Sequence, residues 1–184
     1  QRKIFYGHKE KKPASGFWAF TLVLLALALS GYGMREALRV PPVREVRMQV
    51  PGLPDALNGF RIAQLSDLHI GPTFGKAWLT DVVARTDSLN PDLIVITGDV
   101  VDGSPSRLEE DVAPLADLKA KYGIIFAPGN HEYYSGIQQW LPVFQRLGMH
   151  VLMNENTQIR VNGTPLAIAG VTDTAALNWG LEGP

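Results

Sequence analysis

Phe60-Arg61-Ile62-Ala63-Gln64-Leu65-Ser66-Asp67-Leu68-His69 is the stretch on which the fold of this chain turns. Its apolar positions Phe60, Ile62 and Leu65 roughly alternate, which predicts a strand, and the strand ends by offering Asp67 and His69 two positions apart. Residues at i and i+2 leaving a strand point the same way, so a carboxylate and an imidazole are expected to face one point. That is an arrangement suited to a metal ion. Taken alone an Asp-x-His is a weak signal, because a strand-end Asp is more often a turn former or helix cap.

The same pattern returns twice downstream. Leu93-Ile94-Val95-Ile96-Thr97 is an unbroken apolar run of the kind buried on both faces, and it ends in Gly98-Asp99-Val100-Val101-Asp102. Gly123-Ile124-Ile125-Phe126-Ala127 is a third, ending in Pro128-Gly129-Asn130-His131-Glu132. Three strands thus deliver polar side chains at their C-terminal ends, where open α/β sheets place their sites.

Helical spacing fills the intervals. Trp78, Leu79, Val82 and Val83 predict a helix over 76–89. Leu108, Val112, Leu115 and Leu118 predict another over 107–120, with Ser106 as its N-cap. Trp140, Leu141, Phe144 and Leu147 predict a third, closed by Gly148. Short strands are expected at 151–153, 158–161 and 165–171, with Asn162-Gly163 as a hairpin turn, and a half-exposed strand at 43–50. Strand and helix in alternation imply right-handed crossovers and a parallel sheet, hence a layered α/β domain.

Ahead of this domain the sequence changes character. Residues 1–12 carry Arg2, Lys3, Lys9, Lys11 and Lys12 against Glu10, whereas 13–34 hold no charge. A span of about 20 uncharged residues makes a helix of roughly 30 Å, the thickness of a bilayer core. Trp18 and Tyr32 stand where interfacial aromatics are found. The span is therefore read as a transmembrane helix. A cleaved signal, with Ala26-Leu27-Ala28 or Ala28-Leu29-Ser30 as its site, and a buried soluble helix are the rivals. The dense Lys9–Lys12 cluster places the N-terminus in the cytoplasm and the following domain outside it, at the cell membrane. The expected organisation is a basic cytoplasmic segment 1–12, a transmembrane helix 13–34, a linker 35–42 stiffened by Pro41-Pro42, and the layered α/β domain over 43–184. The start at Gln1 and the stop at Pro184 suggest a fragment.

Among 184 residues the net charge is −1 and 19% are charged, so no global field attracts nucleic acid. No basic patch with interleaved aromatics is present either. Cysteine is absent, which excludes disulfides and thiolate metal sites and leaves His, Asp, Glu and Asn donors, suited to Mn, Fe, Zn or Mg.

Asp67, His69, Asp99 and Asn130 are the candidate metal ligands. A carboxylate such as Asp99 placed between two divalent ions lets them share an activated water, which with positive charge on the phosphoryl oxygens is what phosphate-ester hydrolysis requires. His131, adjacent to Asn130, is the candidate either to protonate the leaving oxygen or to hydrogen-bond the phosphoryl group, with Asp102 orienting its ring or simply capping the loop after the strand. Glu132 is read as a surface acid or helix cap, and His8 and His150 are given no role. Tyr133, Tyr134, Phe74 and Trp179 are candidates for a pocket lining, although aromatics in such loops more often pack.

In Asp67-Leu68-His69, Gly98-Asp99-Val100-Val101-Asp102 and Gly129-Asn130-His131-Glu132, in that order, the chain resembles the calcineurin-like metallophosphoesterase superfamily over roughly 43–184. More closely it resembles the membrane-anchored branch, an impression carried by 91–102 and 129–136. The resemblance implies the N-terminal half of a layered αββα sandwich preceded by one transmembrane helix. It implies two divalent metal ions on Asp67, His69, Asp99 and Asn130, with His131 as the acid assisted by Asp102. The implied activity is hydrolysis of a phosphomonoester, phosphodiester or pyrophosphate, and the anchor makes a lipid-linked substrate attractive. The alternative is a membrane-tethered binding module that keeps the scaffold without the chemistry. The family pattern continues with a lone His and a Gly-His-x-His motif. After His131 this sequence holds only His150, in a different setting, so those elements are expected in a further C-terminal portion.

Overall fold

A computed structural model describes residues 15–184; the basic segment 1–12 and the first residues of the predicted membrane span lie outside the described residues. The chain divides into two compact units, one extending to Arg39 and one from Val40 to Pro184.

In the first unit, helix α1 runs Ser15–Ala37. Its stretch Gly16–Ala37 is long and apolar enough to cross a membrane, and none of it is buried in the protein. A helix apolar on all sides has no face to prefer, in contrast to the one-sided helices of the second unit.

The second unit is built on a four-stranded, fully parallel sheet in the order β1 (Ile62–Leu65), β2 (Leu93–Thr97), β3 (Ile124–Ala127), β4 (Met149–Val151). The crossovers are α2 (Lys76–Ser88), then α3 (Pro105–Val112) with a 3₁₀ turn at Ala113–Asp117, then the short α4 (Asn130–Tyr134) and α5 (Ile137–Arg146). Alternation along β2 and β3 divides the core. Ile94, Ile96, Ile124 and Phe126 pack on one face against Leu79, Val82, Val83, Val112, Trp140 and Phe144 of the helices. Leu93 and Ile125 face the other way, with Leu152 and, partly buried against them, Ile168. Ile168 belongs to a separate antiparallel hairpin, β5 (Glu155–Val161) and β6 (Thr164–Gly170). Asn162 and Gly163 turn it at φ 49° and 87°, the pair of positive angles a two-residue type I′ turn demands.

The α/β reading and the parallel sheet are as the sequence predicts, and four local expectations shift. The helix predicted over 107–120 starts one cap earlier, at Ser104, and its α part stops at Val112. The reason is Pro114, which lacks the N–H needed to continue the ladder. The strand expected at 151–153 lies at Met149–Val151, paired to β3. In the third helix Ile137, Trp140, Val143 and Phe144 are buried, while Leu141 packs on a separate small cluster. Residues 43–50 form no strand: among the described residues no ladder partner lies beside them, and Val46 and Met48 are 71% and 80% exposed. Alternation alone specifies a strand only where an edge is there to receive it.

Register sets the site. Leu65 is level with Ile96 and Ile96 with Phe126, so the first three strands end together and release their loops at one sheet edge.

Candidate metal and active site

The loops after β1 and β2 remain in register beyond the strands. Asp67 N–H donates to Gly98 O at 3.2 Å, His69 N–H to Asp99 O at 2.9 Å and Ile70 N–H to Val100 O at 2.8 Å. To do so the backbone turns left-handed at Asp67 (φ 56°), His69 (φ 45°) and Asp99 (φ 55°). Such conformations cost on the order of 1 kcal/mol or more each in non-glycine residues, and they persist where the surroundings over-determine them. Simple strand alternation therefore does not orient Asp67 and His69, as the sequence suggests; a strained loop does.

The side chains of His69, Asp99 and His131 converge, with one potential ligand atom from each lying within 4.8 Å of the others. Asp67 Oδ1 lies 3.9 Å from His69 Nε2. Asp102 sits between the two imidazoles. Its Oδ1 accepts from His131 Nδ1 at 2.7 Å and from His69 Nδ1 at 3.0 Å, and the rings meet edge to face with centroids 4.5 Å apart. A carboxylate only accepts, so each ring has an N–H at Nδ1 and its Nε2 is left free of Asp102. The hydrogen bond to Asp102 raises the pKa of His69 above its ordinary value, with burial opposing. Burial pushes Asp102 upward, but the bonds from His69 and His131 outweigh it and hold the carboxyl below its usual value.

All six sequence-predicted residues thus gather at one edge. Two features escape sequence reasoning. Asp102 serves His69 as well as His131. Glu132, read as a surface acid or helix cap, does cap α4 but is fully buried rather than at the surface. Its Oε2 accepts from the N–H groups of Asp99 and Gly129, both at 2.8 Å, and its Oε1 from Val100 at 2.7 Å and Val101 at 3.3 Å. One carboxylate therefore ties the loop after β2 to the loop after β3. Burial raises its pKa; the N–H donors of Gly129, Asp99 and Val100 pull it back, and the charge of Asp99 adds to the rise. The available signal was Glu132 at the third position after the helix cap Gly129, where a capping-box acid belongs.

The glycines make this closeness possible. Gly98 has φ +81°, and a Cβ there would collide with the backbone of Gly129. A Cβ on Gly129 would collide with the Asp99 carboxylate.

The donor set fits a divalent cation. Imidazole nitrogens, carboxylates and an amide are borderline-to-hard ligands. The Asn130 amide stands beside the same carboxylate: turned with its nitrogen toward Asp99 it donates to Oδ2 and Oδ1 at 3.2 and 3.3 Å, and turned the other way it offers a neutral amide oxygen of the kind hard cations take.

Comparison with known proteins places this geometry. A family model for calcineurin-like phosphoesterases matches residues 60–177. The chain is 36% identical over 173 residues to a zebrafish (Danio rerio) protein named transmembrane protein with metallophosphoesterase domain, covering 91% of this chain and 40% of the relative. The bovine (Bos taurus) protein of the same name is 37% identical over 161 residues, covering 84% of this chain and 36% of the relative. An uncharacterized metallophosphoesterase of Campylobacter jejuni is 32% identical, covering 89% and 42%. The chain thus spans about 40% of the length of these relatives. No solved structure matches. With the family model spanning the three loops that meet at the sheet edge, the chain belongs to the calcineurin-like phosphoesterases.

Proposed function

We propose that the protein is a membrane-anchored phosphohydrolase that uses two divalent metal ions to hydrolyse a phosphomonoester, phosphodiester or pyrophosphate. The observation that carries this reading is the convergence of His69, Asp99 and His131 at the ends of three parallel strands in a calcineurin-like phosphoesterase domain. Asp67, His69, Asp99 and Asn130 would hold the ions. When bound, the ions supply an activated water near neutral pH and positive charge against the phosphoryl oxygens.

The chain's own groups do the rest. Asp102 holds the Nδ1–H of His131, so the doubly protonated ring carries its second proton on Nε2, the nitrogen that would give it to the leaving oxygen and be left as the neutral imidazole. The same carboxylate holds the ring of His69 and so fixes the direction of its Nε2. Glu132 keeps the backbones beneath Asp99 and Asn130 at a constant separation. Helix α1 would tether the domain at the cell membrane, with the domain outside the cytoplasm, and would keep it close to lipid-linked substrates. A relative named as a transmembrane protein supports the tether.

The test is hydrolysis of p-nitrophenyl phosphate and its bis-ester with added Mn²⁺, using the intact protein, this 184-residue chain and an Asp99→Asn variant. Activity of the intact protein that both EDTA and the substitution abolish is the expected result. Absence of activity in every folded form, with no metal bound, would replace this reading with a tethered binding module.

A further inference from the structure

Tyr133 and Tyr134 are adjacent in sequence and part company in the fold. Tyr133 is buried with Ile137, Ala175 and Ala176. Tyr134 is 59% exposed, so the core does not account for it. Three positions after His131 on α4, it shares that residue's side of the helix. Its ring stands edge-on to the imidazole, with centroids 5.7 Å apart and planes at 65°.

His131 Nδ1 is committed to Asp102, so a leaving oxygen that takes its proton from His131 must approach Nε2. The Tyr134 ring, with its centroid 5.7 Å from that of the imidazole, is the exposed aromatic surface beside the group that would give the proton.

We propose that Tyr134 is a specificity-determining residue whose ring receives the leaving group, selecting phosphate esters with an aromatic or otherwise apolar substituent on the leaving oxygen. The proposal rests on the hydrolase reading for the direction of His131. An aromatic contact of this kind contributes up to about 1.5 kcal/mol beyond its buried area, which is roughly a tenfold preference.

The test separates the proposal from the reading beneath it. Benzylphosphonate and methylphosphonate, whose P–C bonds resist hydrolysis, are titrated calorimetrically into the intact Mn²⁺-loaded protein and into Tyr134→Ala and Tyr134→Phe variants. The expected result is a preference for the benzyl compound of about tenfold in the wild type. Tyr134→Phe should keep it and Tyr134→Ala should reduce it to about twofold or less. Equal affinities in the wild type, binding of neither compound, or a preference that survives Tyr134→Ala would each overturn the proposal. Hydrolysis of phenyl phosphate and methyl phosphate, followed in parallel, reports on the hydrolase reading: turnover of neither ester would remove that reading, while the phosphonate titration still decides whether Tyr134 receives the apolar group.

Discussion

The buried carboxylate of Glu132 accepts the backbone N–H of Asp99 at 2.8 Å, across 33 positions of sequence, while its other oxygen holds Val100. A residue of the third loop thus fixes the backbone that carries the central carboxylate of the second. Glu132→Ala would orphan N–H donors on both loops. Each unsatisfied buried donor costs about 1–3 kcal/mol, so a loss of about 3 kcal/mol or more is expected. Glu132→Gln should fall between, because an amide NH₂ would face N–H groups on one side. Chemical denaturation of the three forms checks the order; a Glu132→Ala protein as stable as wild type would show that water replaces the carboxylate without loss.

The close approach of Gly98 and Gly129 makes a second prediction. Gly98→Ala meets both a positive φ and the backbone of Gly129, so it should lower stability by about 2 kcal/mol or more. Gly129→Ala should act more on the site, because its methyl group falls on the Asp99 carboxylate. Weaker Mn²⁺ binding than in wild type, out of proportion to lost stability, is the expected signature in calorimetric titration.

Ligand removal supplies a third. An ion that binds only the folded chain stabilises it by RT ln(1 + [L]/Kd), about 2.7 kcal/mol at a hundredfold excess over Kd. Mn²⁺ should therefore raise the melting temperature of wild type and leave Asp99→Asn nearly unchanged. Equal shifts in the two proteins would place the ion elsewhere.

The Asp102 pair predicts a pH dependence in the chelated protein. The pKa of His69 is raised from its ordinary 6.5, so its contribution is complete below that value and is lost as pH rises through the folded one. The pKa of Asp102 is lowered from its ordinary 3.8, so its contribution is present above that value and is lost as pH falls through the folded one. Both contributions act together between about pH 4 and 6.5. Asp102→Asn should accordingly destabilise more at pH 5.5 than at pH 8.5. Solvent screening of these half-exposed groups limits the difference to about 1 kcal/mol or less. Denaturation at both pH values measures the gap, and a larger loss at pH 8.5 would contradict the pairing.

Membrane anchoring is tested at the centre of α1. An Arg there costs about 2.5–3.5 kcal/mol of insertion free energy. Leu24→Arg with Leu27→Arg should move the protein from the carbonate-resistant membrane fraction to the soluble one. Retention of the double variant in membranes would assign attachment to another part of the molecule.

Much of this molecule is local information. Apolar runs at 62–65, 93–97 and 124–127, with helical spacing between them, specify strands and crossovers because periods of 2 and 3.6 are written residue by residue. The uncharged stretch that becomes α1 and the Asn162-Gly163 turn are local in the same way, and so are Asp67, His69, Asp99, Asn130 and His131 as chemistry-bearing residues at strand ends. The tertiary structure alone decided what those residues do to one another. Left-handed backbone at Asp67, His69 and Asp99 answers to hydrogen bonds between loops about 30 positions apart. Asp102 takes two histidines because both loops end beside it. The capping-box spacing of Glu132 from Gly129 is local, but its burial is not: the N–H groups of Asp99, Val100 and Val101 that also satisfy its charge come from the loop after β2, which sheet register brings beside it. Residues 43–50 make the converse point: their alternation is that of a strand, but a strand also needs an edge to pair with, and the described fold sets none beside them.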